Sequence, residues 1–299
     1  MKIVLATRRS KLALAQARAY VRSLIAKNPG LEIEELHVVT SGDRIQDRSL
    51  QEIGGKGLFI KEIEEALLDG RADFAVHSIK DVPAELAPGL FLGAIPRRED
   101  PRDVLVTRGG GLDALPNGAR VGTSSMRRAL QLKLARPDLV TEPLRGNVDT
   151  RLRKLEDGTI DAIVLAYAGL RRLDLGARAN ELFAPEAMLP AVGQGALGIE
   201  CREDDARMQG VLATTDDVDT RIAVEGERAF MRAVGGSCQL PVAAYCVLGA
   251  TDLHLRGLLA DADGSNVRRG ERRAPRPSDP LEARQVATAL GEELGAALR

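Results

Sequence analysis

Arginines and hydroxyl side chains recur in five short stretches: Thr7, Arg8, Arg9 and Ser10; His77, Ser78 and Lys80; Thr123, Ser124, Ser125, Arg127 and Arg128; Arg145 and Arg151; and Tyr167, Arg171 and Arg172. Each stretch follows an apolar run or opens a helix-like segment. Guanidinium forks bind carboxylates at two points, and helix N-termini attract anions. The pattern implies a cleft for a ligand bearing several carboxylates or phosphates. Asp81, next to Lys80, is the contrary charge. A carboxylate in an anion-binding cleft can stabilise a developing cation or move protons. Cys238 follows Gly235-Gly236-Ser237 in a predicted loop. A thiol near arginines has a lowered pKa and serves as nucleophile or attachment point. No His-Asp relay accompanies it, which argues against protease-like chemistry.

The other candidates are quieter. His37, His77 and His254 show no metal-ligand spacing and read as structural or surface residues. Cys201 and Cys246 lie in apolar runs and read as small core residues. Three cysteines imply no disulfide framework. The apolar run at the start is too short for a signal peptide, and no stretch reaches the ~20 apolar residues that cross a bilayer. The expectation is a cytoplasmic protein with no membrane partner and no metal.

Composition sets outer limits. Lys+Arg of 42 against Asp+Glu of 43 gives a net charge of -1, and with 3% aromatics and no Trp a nucleic-acid partner is not expected. Among the basic residues 34 are arginine. At 299 residues the chain holds two domains of about 150 residues, or three smaller ones.

The elements that must position these residues alternate between strand and helix. Ile3 to Ala6 reads as a strand, and Ser10 caps a helix that stops at Asn28-Pro29-Gly30. The strand IEELHVVT, a polar stretch, the helix LFIKEIEEALLDG and the strand ADFAVHS follow. A repeat appears at a constant offset of 88 residues, LLDGRADFAV from Leu67 against LEDGTIDAIV from Leu155. Upstream of each copy lies a strand, a Thr/Ser-rich turn and a helix (VLATRRSKLALAQ and RVGTSSMRRALQL), which favours two similar α/β lobes. Asn147 reads as a helix start. After Pro190, AVGQGALGIECR reads as a strand that carries the chain back to the first lobe. A helix from Val218 to Val234, three strand-like runs and a closing helix from Leu281 to Leu298 form a different, α+β pattern. The expected domains are 1–97 with 195–215 as the first lobe, 98–194 as the second, and 216–299 as a third that carries the cysteine.

The strings ATRRSKLALAQ, GGKGLFIKEIE, ADFAVHSIKDVP, REDPRDVLV, VGTSSMRR, LRGNVDTRL, LPAVGQGALGIECR and GGSCQLPVAA, in this order, resemble the hydroxymethylbilane synthase (porphobilinogen deaminase) family from about residue 3 to the last helix. Lys11, where many members carry proline, and Ser237, in place of a common glycine, are small departures. The resemblance implies two periplasmic-binding-protein-like lobes with mixed sheets plus a smaller α+β C-terminal domain. It implies a monomer that joins four porphobilinogen units head to tail onto a dipyrromethane primer, with release of ammonia, and then hydrolyses off the linear tetrapyrrole.

By the same resemblance the dipyrromethane is held as a thioether by Cys238, and Asp81 is catalytic. Lys80, Asp81, Thr123, Ser124, Ser125, Arg127, Arg128 and Arg145 correspond to cofactor-binding positions. Arg8, Ser10, Lys56, Ser78, Arg151, Arg172 and Gln194 correspond to positions binding porphobilinogen and the growing chain. Each unit added brings an acetate and a propionate, which the loop arginines match. Loss of ammonia creates a transient cation, which Asp81 is suited to balance. The polar stretch from Arg44 to Lys56 is expected to be a mobile lid. The residues alone leave a rival open, a non-enzymatic two-lobed binder of anions. That rival accounts for the repeat and the arginines but gives no task to Asp81 or Cys238.

Overall fold

A computed structural model describes residues 1–44, 60–236 and 240–299. Ser10 does cap the first helix, its hydroxyl oxygen accepting from Ala13 N at 3.3 Å. The chain forms β1 (Lys2–Arg8), α1 (Lys11–Lys27), β2 (Glu32–Val38), the short α2 (Ser41–Arg44), α3 (Lys61–Leu68), β3 (Phe74–Ser78) and β4 (Leu90–Ala94). It continues through β5 (Asp103–Thr107), β6 (Arg120–Gly122), α4 (Met126–Ala135), β7 (Val140–Glu142), α5 (Val148–Glu156), β8 (Ala162–Ala166), α6 (Tyr167–Arg172) and β9 (Glu181–Leu182). Then come β10 (Leu197–Arg202), α7 (Ala206–Ala213), α8 (Val218–Ala233), β11 (Val242–Leu248), β12 (Asp252–Leu259), β13 (Arg268–Pro275) and α9 (Pro280–Leu298).

Two compact units result, Met1–Arg98 with Ala196–Arg221, and Glu99–Gly195 with Ile222–Arg299. The first unit is one lobe, built on a mixed sheet ordered β2-β1-β3-β10-β4. Strands β1, β2 and β3 run parallel, and β10 is antiparallel to both its neighbours. The strand after Pro190, β10, lies in this sheet beside β3. Ile3, Leu5, Phe74 and Ile199 pack against Tyr20 and Leu24 of α1 and Leu212 of α7. Ala6, Ala75 and Leu90 pack against Ile63 and Leu67 of α3. Both faces of the sheet are therefore covered at its centre, which is why β1 and β3 read as apolar runs while the edge strand β2 does not.

The second unit holds the other lobe and the C-terminal domain. Its lobe sheet is ordered β7-β6-β8-β5-β9, again with three parallel strands and one interior antiparallel strand, β5. The repeat at offset 88 is structural. β3 and β8 occupy matching residues, and Gly70 and Gly158 end the preceding helices with φ of 71° and 72°. Asp73 accepts from Val4 N at 2.7 Å and Asp161 accepts from Arg120 N at 2.8 Å, each tying the strand start to its parallel neighbour.

The C-terminal sheet β11-β12-β13 is antiparallel, and α8 and α9 cover one face. Gly291 lets those helices meet backbone to backbone, since a Cβ there would crowd Gly226 O. Asp279 caps α9 by accepting from Glu282 N, with Pro280 at its first turn. Leu258, Ala243 and Ala260 pack on Leu130 and Leu189, joining this sheet to the lobe. The fold class expected from the sequence is present: two α/β lobes with mixed sheets and a smaller α+β domain. Among the described residues, no helix is long and apolar enough to cross a membrane.

Candidate active site

In the first unit, β1 and β3 deliver residues to the same sheet edge, where parallel strands end. Arg8 closes β1, Ser10 starts α1, and Ser78 closes β3. A 3-10 turn over Ile79–Asp81 follows, with Ile79 buried beneath it, Lys80 half-buried and Asp81 exposed. Ile79 N donates to Ala196 O at 3.1 Å, which pins this turn to the start of the return segment. Ser78 is held from a position the sequence reading passed over. Gln16 of α1 is buried, and its Nε2 donates to Ser78 Oγ at 2.9 Å. The only signal was a polar residue on the buried stripe of an amphipathic helix. Behind the turn, His77 Nε2 meets Glu200 Oε2 at 2.9 Å, both side chains buried. His77 is therefore structural, as is His254 against Glu271.

In the second unit, Thr123 is buried just after β6, and Ser125 N donates to its hydroxyl. Ser124 Oγ donates to Leu144 O at 2.7 Å, tying this loop to the one that carries Arg145. Arg151 Nε donates to Gly146 O at 2.9 Å, and Asn147 caps α5 by accepting from Thr150 N. Arg172 Nη2 donates to Gly195 O at 2.7 Å. Burial pushes its guanidinium down to about 10, partly offset by Glu99.

Arg127 and Arg128 open α4 but do not lie on a solvent-facing loop. Both are buried around Asp103, the first residue of β5, which is itself 0% exposed. Arg127 Nη1 donates to Asp103 Oδ2 at 2.6 Å and Arg128 Nε to Asp103 Oδ1 at 2.9 Å. Gln194 Nε2 adds a bond of 2.9 Å to the same Oδ1. Burial alone would raise the Asp103 carboxyl, but the two guanidiniums overcome it and hold it at about 2. Arg127 Nε is buried with no hydrogen-bond partner among the described residues. Such an orphaned donor beside a second guanidinium fits a carboxylate-bearing ligand.

Glu227 of α8 is a further residue the sequence did not flag. Its carboxylate is fully buried and accepts from Gly193 N at 2.6 Å and Cys246 N at 3.0 Å. It anchors the helix that leads toward Cys238. Gly235, at φ 83°, ends that helix, with Gly236 N donating back to Met231 O. Cys238, Lys56 and all but the first residue of the expected lid, Arg44 to Lys56, lie outside the described residues. Cys201 and Cys246 are buried, and burial raises the Cys201 thiol to about 12. Among the described residues, no group of three or more His, Cys, Asp and Glu side chains is arranged to hold a metal ion.

Comparison with known proteins settles the family. Residues 3–210 match the model of the porphobilinogen deaminase, dipyrromethane cofactor binding domain, and residues 221–298 match the porphobilinogen deaminase C-terminal domain. The chain belongs to the porphobilinogen deaminase family. A porphobilinogen deaminase of Sorangium cellulosum is 65% identical over 98% of this chain and 98% of its own. One from Nitratidesulfovibrio vulgaris strain Miyazaki F is 52% identical over 98% and 93% respectively. Among solved structures, the VFT2 domain of Bordetella pertussis BvgS (a double mutant) is 18% identical with a TM-score of 0.42, covering 72% of this chain and 86% of that one. The activity is the family's: a transferase of tetrapyrrole biosynthesis that joins four porphobilinogen units onto a dipyrromethane cofactor and releases hydroxymethylbilane.

Proposed function

We propose that the two sheet edges described above divide the work of this reaction between them. The observation that carries the reading is local to each unit: Arg8, Ser10, Ser78, Lys80 and Asp81 in the first, and Thr123, Ser124 and Ser125 in the second, follow the ends of parallel strands, the usual ligand-binding edge of α/β sheets. In the second unit Arg127 and Arg128, with Thr123, Ser124, Ser125 and Arg145, hold the carboxylates of the dipyrromethane, and Cys238 is its thioether anchor. In the first unit Lys80 and Asp81 stand at cofactor-binding positions, and Asp81 balances the positive charge that develops on porphobilinogen as ammonia leaves. Arg8, Ser10, Lys56, Ser78, Arg151, Arg172 and Gln194 bind porphobilinogen and the growing chain.

When bound, the dipyrromethane supplies a fixed attachment end and a nucleophilic pyrrole carbon. The chain's own residues do the rest. Donor-only guanidiniums orient carboxylates without competing for protons, since arginine stays charged at working pH. Gln16 fixes the rotamer of the Ser78 hydroxyl, so that group meets substrate pre-oriented. Asp81 is exposed and carried on a turn pinned at Ile79, so it can take up and pass on a proton without unpacking the core.

The same reading includes three domains, 1–97 with 195–215, 98–194 and 216–299; the separate core of the C-terminal sheet and helices supports the last division. It also includes a metal-free monomer in the cytoplasm. Intact-protein mass spectrometry tests the core of the proposal. The purified protein should exceed its sequence mass by a linked pair of pyrroles, and Cys238→Ser should lack that increment. An active wild type of unmodified mass would refute the anchor.

A further inference from the structure

The antiparallel strand inside each lobe sheet meets its neighbour in the same register. In the second lobe Asp103 of β5 pairs with Ala166 of β8. In the first, Leu197 of β10 pairs with Ser78 of β3, which the repeat places 88 residues before Ala166. An apolar residue at this position therefore satisfies the fold. The second lobe instead buries one carboxylate, two guanidiniums and a carboxamide there. Burying such a cluster is costly, and apolar replacements of equal shape are often as stable or more so. A cluster that the architecture does not require, at the edge where ligands bind, has another task.

Its geometry shows which. The two Asp103 oxygens divide the arginines between them, Oδ2 accepting from Arg127 Nη1 at 2.6 Å and Oδ1 from Arg128 Nε at 2.9 Å. Carbonyls complete the clamp: Leu189 O accepts from Arg127 Nη1 at 2.6 Å and Val164 O from Arg128 Nη1 at 3.2 Å. Each guanidinium plane is fixed by a carboxylate oxygen and a backbone oxygen, while Arg127 Nε remains unbonded among the described residues. We propose that Asp103 is a positioning residue for the reaction, which sets the planes of Arg127 and Arg128 for the carboxylates of the dipyrromethane. This rests on the reading of those two arginines as cofactor ligands. Gln194, bonded to the same carboxylate and to Pro101 O at 2.6 Å, keeps the carboxylate from rotating. The second aspartate of the sequence motif REDPRDVLV is this residue, which opens β5.

Asparagine at 103 offers one acceptor oxygen where the arginines use two, and glutamate keeps the charge but moves it by one methylene. The test is to purify Asp103→Asn, Asp103→Glu, Arg127→Gln and Arg128→Gln as holoenzymes. Dipyrromethane content is read by intact mass, kcat and KM for porphobilinogen are measured per cofactor-loaded molecule, and melting is followed separately. Asp103→Asn should load less cofactor and lose about 10²-fold in kcat per loaded molecule, with KM changed far less. Asp103→Glu should recover part of the loading. If Asp103→Asn does not fold, Asp103→Glu decides alone, with kcat per loaded molecule expected below wild type. Wild-type loading and kcat in every Asp103 variant that folds, with only a lowered melting temperature, would overturn the inference. If the arginine variants lose cofactor at the same time, the reading of those arginines survives that failure. If they too load and turn over normally, both fall.

Discussion

In the first lobe the return strand begins at Leu197; in the second its counterpart begins at Asp103. One residue further into the sheet on β3, and three on β10, the polarity reverses. There the first lobe buries His77 against Glu200, where the second has Leu165 and Val106 at the matching register positions. One backbone plan thus tolerates either an apolar or a charged filling at two separate places, and each lobe made the opposite choice. What differs between the lobes is therefore not needed to form the sheet and points to what each is used for. In the second lobe the buried charge lies at the sheet edge where β8 ends, among arginines. In the first it lies behind the turn that carries Lys80 and Asp81.

The contrast can be broken by substitution, and the largest effect belongs to the exposed acid. Asp81→Ala should lower turnover by about 10²–10⁴-fold while the melting curve and the bound dipyrromethane stay unchanged; near-normal steady-state rates would remove Asp81 from the chemistry. Next in size, His77→Leu leaves Glu200 buried with neither oxygen bonded and should cost roughly 3–5 kcal/mol in chemical denaturation. The double variant His77→Leu and Glu200→Val copies the filling of the second lobe and should recover most of that loss. Failure to recover would mean that the lobes are not interchangeable at this level.

A pH series probes Asp103. Its carboxyl is held at about 2, below the ordinary value of 3.8, so it contributes stability above 3.8 that is lost as pH falls toward about 2. The melting-temperature gap between wild type and Asp103→Asn should accordingly be flat near neutrality and narrow in acid. A gap that widens in acid would contradict the pairing. The smallest effect tests the repeat itself. Gly70→Ala and Gly158→Ala each force a side chain into left-handed backbone with no neighbour closer than 3.9 Å, and each should cost about 1 kcal/mol, by equal amounts within error.

Much of this was legible in the sequence because it is local. Ser10, Asn147 and the Gly-ended helices announce themselves within four residues, and the 88-residue repeat declares both lobes. The site edges followed from the strand ends. What stayed hidden depends on distant partners. Gln16 finds Ser78 across 62 residues, and Asp103 finds Arg127 and Arg128 across 24 and 25. No periodicity marks such pairs. Arg127 and Arg128 read as loop cations because helix starts beside hydroxyls suggest exposed anion sites, and only the packed structure turns them inward. Strand β4 and helix α7 were also passed over. The strand is a short run, LFLGA, that contains a glycine and follows Pro88 and Gly89, so the strand signal is weak.

The return of β10 has a consequence for how the polypeptide leaves the ribosome. In the first lobe β10 lies between β3 and β4, so a nascent chain that ends before Leu197 holds an unfinished sheet with two raw inner edges. The other lobe draws all five of its strands from one continuous stretch, Asp103 to Leu182, and has everything it needs while the earlier-made half still waits. Of the two lobes, the one begun first is completed last, and that interval is when open strand edges are most exposed to aggregation.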